Sequence, residues 1–184
     1  MRANFVHIER LVRDVLLRGV SGDMAEFGVW YGTTFLPIAE LARDNGRMIH
    51  AVDSFIGMAK ETERDGGHYL EGSHSVGGSK MFRELVRTHH NVSVHEGFIP
   101  AVLSQLDGAR FCFVHIDLDQ YKPTLETLRF VWPRMELGGI VACHDWFGNS
   151  NLLAAGAIAD WMKESGVALA GEQTRTQHCW FIKT

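Results

Sequence analysis

Phe111-Cys112-Phe113-Val114-His115-Ile116 is a nearly unbroken apolar run that stops at Asp117-Leu118-Asp119-Gln120-Tyr121. Such a run reads as a strand buried on both faces, as in the middle of a parallel sheet. Downstream, Pro123 suits the first turn of a helix whose stripe is Leu125, Leu128, Val131 and Trp132. Gly138-Gly139 leads into a strand over Ile140 to Cys143 that ends on His144-Asp145, and a helix follows over 151–164. Val167 to Ala170 and Gln177 to Lys183 read as closing strands, paired antiparallel. Upstream, strands are expected at Met24 to Phe27, at Arg47 to Val52 ending on Asp53, and at Asn91 to His95 ending on Glu96-Gly97. Between them fall helices near 33–43, stopped by Asn45-Gly46, near 79–88, and a weaker one near 100–106. Residues 4–18 carry Phe5, Ile8, Val12, Val15 and Leu16 at helical spacing and form an amphipathic leading helix. Strands alternating with helices make this an α/β chain with a mainly parallel sheet and helices on both faces.

The chain has 184 residues, enough for one domain, and its 46% hydrophobic content supports a full core. Eighteen basic and 22 acidic residues leave a net charge of −4, so a nucleic-acid partner gains no electrostatic support. No apolar stretch is long enough for a membrane span, and the amino terminus lacks a signal-peptide core. Cys112, Cys143 and Cys179 are odd in number and show no C-x-x-C spacing, against a disulfide framework. A cytoplasmic location is expected, and the leading helix is a candidate surface for a second copy of the chain. Residues 56–78 hold six glycines and no sustained periodicity. They read as a candidate lid or as a disordered loop.

Function is read from where the polar residues fall. Asp53, Glu96, Asp117 and His144-Asp145 all lie just past the carboxyl end of an expected strand, the edge where open α/β sheets bind ligands. Four acidic strand ends on one rim point to a cationic ligand or a metal. Asp117 and Asp119 sit two apart beyond a strand, and His144-Asp145 ends the next strand. Asp117, His144 and Asp145 are therefore candidate ligands for Mg²⁺, or for Mn²⁺, Fe²⁺ or Zn²⁺. The blander alternative is a capping aspartate and a strand-end hydrogen-bonding pair.

Glu26-Phe27-Gly28-Val29-Trp30-Tyr31-Gly32-Thr33-Thr34 joins the first strand of the sheet to its helix. Trp30 stands where the dinucleotide fingerprint G-x-G-x-x-G has its second glycine, which argues against a pyrophosphate on the turn. An amino-acid-bearing nucleoside fits better, with Glu26 toward an ammonium and the amides of Gly32 to Thr34 toward a carboxylate. Asp53 is placed to accept ribose hydroxyls. S-adenosylmethionine has these parts.

Taken in order, the Glu26–Gly32 turn, Asp53-Ser54-Phe55-Ile56-Gly57-Met58, Glu96-Gly97-Phe98 and Ile116-Asp117-Leu118-Asp119-Gln120-Tyr121 resemble the macrocin O-methyltransferase family. That family includes novobiocin-pathway and macrolide-sugar enzymes. The resemblance implies a Rossmann-like class I methyltransferase fold, seven strands with an antiparallel closing strand, S-adenosylmethionine as methyl donor, and Mg²⁺ or Mn²⁺. It implies that Glu26, Gly28, Tyr31, Gly32, Thr33 and Thr34 surround the methionine portion. Asp53, Ser54 and Phe55 would lie at the nucleoside, Gly97 and Phe98 near the adenine. Asp117 would adjoin both cofactor and metal, with His144 and Asp145 completing the metal set. Asp119 is the implied base, and His144 the alternative. The family often has two acidic residues where this chain has His144-Asp145. The implied partner is a small-molecule hydroxyl acceptor such as a sugar. Tyr121 and Trp146 are candidate walls of its pocket. A phenolic or catechol acceptor, a nicotinamide-dependent oxidoreductase and a non-catalytic nucleoside-binding domain are the competing readings.

Overall fold

The computed structural model describes residues 2–147 and 150–184, with side chains from residue 6 onward, so Phe5 lies outside the described side chains. The leading helix α1 spans Arg2–Leu17, and β1 spans Asp23–Phe27. Then come α2 (Phe35–Asp44), β2 (Ile49–Asp53), α3 (Lys80–Leu85) and β3 (Val92–Glu96). The second half is β4 (Phe111–Ile116), α4 (Tyr121–Val131), β5 (Met135–Cys143), α5 (Leu153–Ser165), β6 (Gly171–Gln173) and β7 (His178–Ile182). The seven strands form one sheet in the order β3-β2-β1-β4-β5-β7-β6. β1 through β5 pair in parallel, while β7 runs antiparallel to both β5 and β6.

β4 is central, and every residue in it is buried. Its alternating side chains feed two cores, one on each face of the sheet. Ile8, Val12, Val15, Phe35 and Ile38 from α1 and α2 close one face over Met24, Phe113 and Ile140. Leu125, Leu128, Ile158 and Trp161 from α4 and α5 close the other over Phe27, Val114 and Val141. Each such side chain contributes about 1.5–3 kcal/mol on burial.

Several boundaries differ from the sequence reading, among them the following four. β5 begins at Met135, because Gly138 and Gly139 lie within it: a Cβ on Gly139 would stand 2.9 Å from the Cys112 carbonyl oxygen. The penultimate strand is Gly171–Gln173 rather than 167–170; Gly171 is needed where a Cβ would stand 2.2 Å from the Trp180 ring. Residues 101–106 form a 3-10 helix, and α3 stops at Leu85, short of 88. Among the described residues no helix is long and apolar enough to cross a membrane.

The order reverses between β1 and β4, so their carboxyl ends open a crevice. Hydrogen bonds continue past the strands there: Asp117 N–H donates to the Phe27 carbonyl at 2.8 Å, His144 N–H to Ile116 at 2.9 Å and Gly97 N–H to Asp53 at 2.9 Å. The rim residues are thus held in register.

Candidate active site

The crevice is a cavity of about 290 Å³. Gly28 and Trp30 from the turn after β1, Asp53 and Ser54 after β2, Gly97, Phe98 and Ile99 after β3, and Asp117 to Gln120 after β4 line it. Met58, Ala59 and His74 from the 56–78 segment also line it. Six of the residues expected at a cofactor therefore line it: Gly28, Asp53, Ser54, Gly97, Phe98 and Asp117.

The other six do not. Glu26 is 1% exposed and accepts a 3.0 Å hydrogen bond from His115 Nδ1, inside the α1 face of the sheet. Burial pushes its carboxyl above the usual carboxylate range. Phe55 belongs to the core, its ring 5.2 Å from that of Phe82, because the backbone there turns left-handed (φ 56°). Tyr31 packs outside against Trp30, and Thr33 and Thr34 stand off the cavity. Gly32 donates its N–H to the Val29 carbonyl at 2.8 Å, and its missing side chain makes room for Phe82 rather than for a ligand.

Asp53 builds the turn. Oδ2 accepts the N–H groups of Val29 and Trp30 at 2.7 and 2.8 Å, and Oδ1 accepts that of Phe55 at 2.6 Å. This holds Trp30 in its left-handed conformation (φ 50°), which a bulky side chain seldom adopts. Gly28 serves a related end. A Cβ on it would lie 1.8 Å from the Asp117 carbonyl oxygen, so glycine lets β1 and β4 meet where their ends cross.

Asp117, His144 and Asp145 converge, with one donor atom from each within 4.8 Å of the others. His144 Nδ1 lies 3.1 Å from Asp117 Oδ1 and 2.9 Å from Asp145 Oδ1, yet neither oxygen lies along a hydrogen-bonding direction of the ring. Asp145 Oδ2 is also buried without a partner. Burial opposes charge on His144, but the two carboxylates outweigh it and raise the imidazole to about 10. Burial likewise acts to raise Asp117, and His144 beside it overrides this and holds the carboxyl low. Asp119 is pushed up to about 7, first by burial and then by the carboxylates of Asp145 and Asp117.

Behind this cluster the rings of His144, His178 and His115 follow one another, with centroids 4.7 and 5.6 Å apart. Burial, with His115 and His144 nearby, drives His178 down to about 3, so it is a neutral packing residue.

The 56–78 segment is ordered by specific bonds. Met58 and residues 72–73 exchange backbone hydrogen bonds, Met58 N–H to Ser73 at 2.8 Å and Gly72 N–H to Met58 at 2.9 Å. Asp65, 1% exposed, accepts the Thr62 N–H with one oxygen and, with the other, the Tyr121 N–H at the start of α4. Arg64 pairs with Asp160 of α5 at 2.7 Å and lies over the Tyr121 ring, whose hydroxyl also donates to Asp160. Tyr121 is therefore a clamp, not a pocket wall. Trp146 is likewise turned away, donating Nε1–H to Glu172 at 2.6 Å. Trp30, Met58, Ala59 and His74 line the cavity although the sequence reading does not single them out as site residues, and Tyr69 donates its hydroxyl to Asp119 Oδ1 at 3.0 Å. Trp30 had a signal, since it interrupts the glycine pattern; the rest sit in a stretch without periodicity.

A family model described as a methyltransferase domain matches residues 25–146. The chain belongs to this methyltransferase family. A curated relative, the 8-demethyl-8-(2,3-dimethoxy-alpha-L-rhamnosyl)-tetracenomycin-C 4'-O-methyltransferase of Streptomyces olivaceus, is 26% identical over 166 residues. That match takes in 76% of this methyltransferase chain but only 59% of the relative's length. Among solved structures, the O-methyltransferase NovP superposes with a TM-score of 0.82 at 20% identity, over 98% of this chain and 79% of that one. The calicheamicin methyltransferase CalS11 gives 0.81 at 21% identity over the same shares. These likenesses bear out the expected class I methyltransferase fold.

Proposed function

We propose that this methyltransferase transfers the methyl group of S-adenosylmethionine to a hydroxyl of a sugar or glycosylated natural product, assisted by a divalent cation. One observation carries the reading: the cavity under the glycine turn and the Asp117–His144–Asp145 cluster share Asp117. The tetracenomycin-sugar relative points the acceptor toward a deoxysugar.

The residues present fit both groups. Gly28, Asp53, Ser54, Gly97 and Phe98 offer backbone, carboxylate, hydroxyl and apolar surface suited to a nucleoside with an amino-acid tail. Asp117, His144 and Asp145 offer a mixed oxygen and nitrogen set, and two of its atoms lack hydrogen-bond partners. That donor set suits Mg²⁺ or Mn²⁺. S-adenosylmethionine supplies a methyl carbon on a positively charged sulfur. A divalent ion would stabilise a forming alkoxide by its charge.

The chain's own residues do the rest. Gly28 and Asp53 hold the turn against the residues after β4 and so fix where the donor lies. Asp119, lining the same cavity, accepts the proton that the acceptor hydroxyl loses as its oxygen takes the methyl group. Its elevated basicity suits a base working near neutral pH. Met58, Ala59 and His74 line the cavity and limit the access of water to it. Alignment of this kind is worth about 7–11 kcal/mol in favourable intramolecular systems.

The test is methyl transfer from labelled S-adenosylmethionine to a panel of deoxysugar nucleotides and glycosides, before and after chelation, with Mg²⁺ or Mn²⁺ added back. Asp117→Asn should abolish metal-stimulated turnover. Full activity in chelator, or an unchanged Asp117→Asn enzyme, refutes the metal role. Absence of S-adenosylmethionine binding by calorimetry refutes the whole reading.

A further inference from the structure

Asp119 stands in a crowd of like charge, with Asp117 and Asp145 as neighbours and, among the described residues, no lysine or arginine paired to it. Its backbone is left-handed (φ 58°) and is held from the α5 side, its carbonyl accepting the Ala154 N–H at 2.9 Å. The side chain is held from another element. The Tyr69 hydroxyl, from the middle of the 56–78 segment, donates to Asp119 Oδ1 at 3.0 Å.

Tyr69 itself is fixed. Its N–H donates to the Glu61 carboxylate, and its ring meets His74 edge-on at 5.8 Å. The Met58–Ser73 hairpin and the Asp65–Tyr121 bond frame it at either end.

From this we infer that Tyr69 is a positioning residue for methyl transfer: its phenolic hydroxyl holds the Asp119 carboxylate toward the cavity through Oδ1. The inference rests on the reading of Asp119 as proton acceptor. A phenol suits the task for a chemical reason. Lysine or arginine would hold the carboxylate more tightly, but their charge would make it a weaker base. A neutral O–H donor restrains the side chain against repulsion from Asp117 and Asp145 without adding a cation. The 56–78 segment thereby becomes part of the reacting geometry.

The test uses the full chain as wild type, Tyr69→Phe, Asp119→Asn and the double variant. Single-turnover transfer of labelled methyl is measured to the best acceptor of the panel. Tyr69→Phe should lower kcat by about 10- to 100-fold, the range that a misplaced reacting group costs. Acceptor KM should stay within about twofold and the S-adenosylmethionine dissociation constant should not move. In the Asp119→Asn background the same substitution should change the rate by less than about twofold, since the tyrosine acts through the aspartate. Tyr69→Leu serves as a second hydroxyl-free variant and should show the same loss of kcat. A Tyr69→Phe rate equal to wild type overturns the inference, as does an equal fold-loss in both backgrounds. A wild-type chain that binds S-adenosylmethionine yet methylates no hydroxyl overturns the proposed function, and the role of Tyr69 with it.

Discussion

Gly28→Ala is the sharpest single test of how the fold makes the site. Two costs arise at that position. The backbone is left-handed (φ +87°), where a Cβ costs about 1–3 kcal/mol in strain. The new methyl would also stand 1.8 Å from the Asp117 carbonyl oxygen and 2.7 Å from its carbon. Those atoms are backbone just past the β1–β4 ladder, held there by the Asp117 N–H bond to the Phe27 carbonyl, so no side chain can swing aside. Overpacking of this kind costs about 1–3 kcal/mol, for a total near 2–6 kcal/mol. For a chain of this length each kcal/mol lowers Tm by about 2–4 °C, so the variant should melt roughly 4–24 °C below the parent.

Gly46→Ala is the matched control. Gly46 is also left-handed (φ +65°), but a Cβ there meets nothing within 4 Å. Only the backbone cost remains, about 1–2 kcal/mol. Differential scanning calorimetry of the two variants separates the crowding from the strain. Because the relief of the clash must displace Asp117, Gly28→Ala should also weaken S-adenosylmethionine binding more than about tenfold at temperatures where it is folded. A Gly28→Ala chain that melts with Gly46→Ala and binds the donor normally would refute the account of why glycine occupies this crossing.

Three further outcomes follow from the same bonds. Asp53→Asn keeps one acceptor oxygen and sets an amide NH2 against the partners of the other, either Phe55 N–H or the N–H groups of Val29 and Trp30; it should destabilise the chain by about 1–3 kcal/mol in urea unfolding, with weaker donor binding by calorimetry. Asp65→Ala strips buried acceptors from Thr62 and Tyr121 and should cost about 2–4 kcal/mol, with faster proteolysis confined to 56–78. Asp160 is held down to about 2 by Arg64, Lys163 and Tyr121. Between that value and its ordinary 3.8 the folded chain binds fewer protons than the unfolded one, so stability is complete above about pH 4 and is lost as pH falls toward 2. Asp160→Asn should flatten that limb of an acid-unfolding curve.

The parts of the fold that were legible are those where local pattern and burial agree. β4 announces itself because a central strand must be apolar on both faces, and the strand ends follow from polar residues that cannot enter the core. Boundaries failed where a glycine's reason is tertiary. Gly139 and Gly171 look like breakers in one dimension, but each makes room for a neighbour, the Cys112 carbonyl and the Trp180 ring. The candidate site divides in the same way. Gly28, Asp53, Gly97 and Asp117 are tied to strand ends and line the cavity, whereas Phe55 and Glu26 share their motifs but turn into the core. Nothing in the spacing of residues 56–78 announces that Tyr69 reaches Asp119, because that contact depends on Asp65 docking to α4 far along the chain.

The acidic rim gains meaning only once its charges are sorted by what offsets them. Asp53 spends its charge on three backbone amides of the turn. Glu96 accepts from Ser79 Oγ and lies 3.9 Å from the Arg83 guanidinium. That leaves Asp117, Asp119 and Asp145, three carboxylates answered by one imidazole and one phenol. Fold stability alone favours fewer like charges at this edge, since repulsion in a partly buried cleft exceeds that in water. A cation settling there removes that repulsion, and two cationic species belong to the proposed reaction, the sulfonium and the divalent ion. The cost of the cluster to the empty chain and its use to the loaded one are thus the same electrostatic quantity. Asp145→Asn should therefore weaken Mn²⁺ binding by calorimetry and, by removing one of the two carboxylates that raise it, lower the His144 imidazole pKa in an NMR titration. A variant that leaves both the Mn²⁺ affinity and the His144 titration unchanged would show that the cluster serves packing instead.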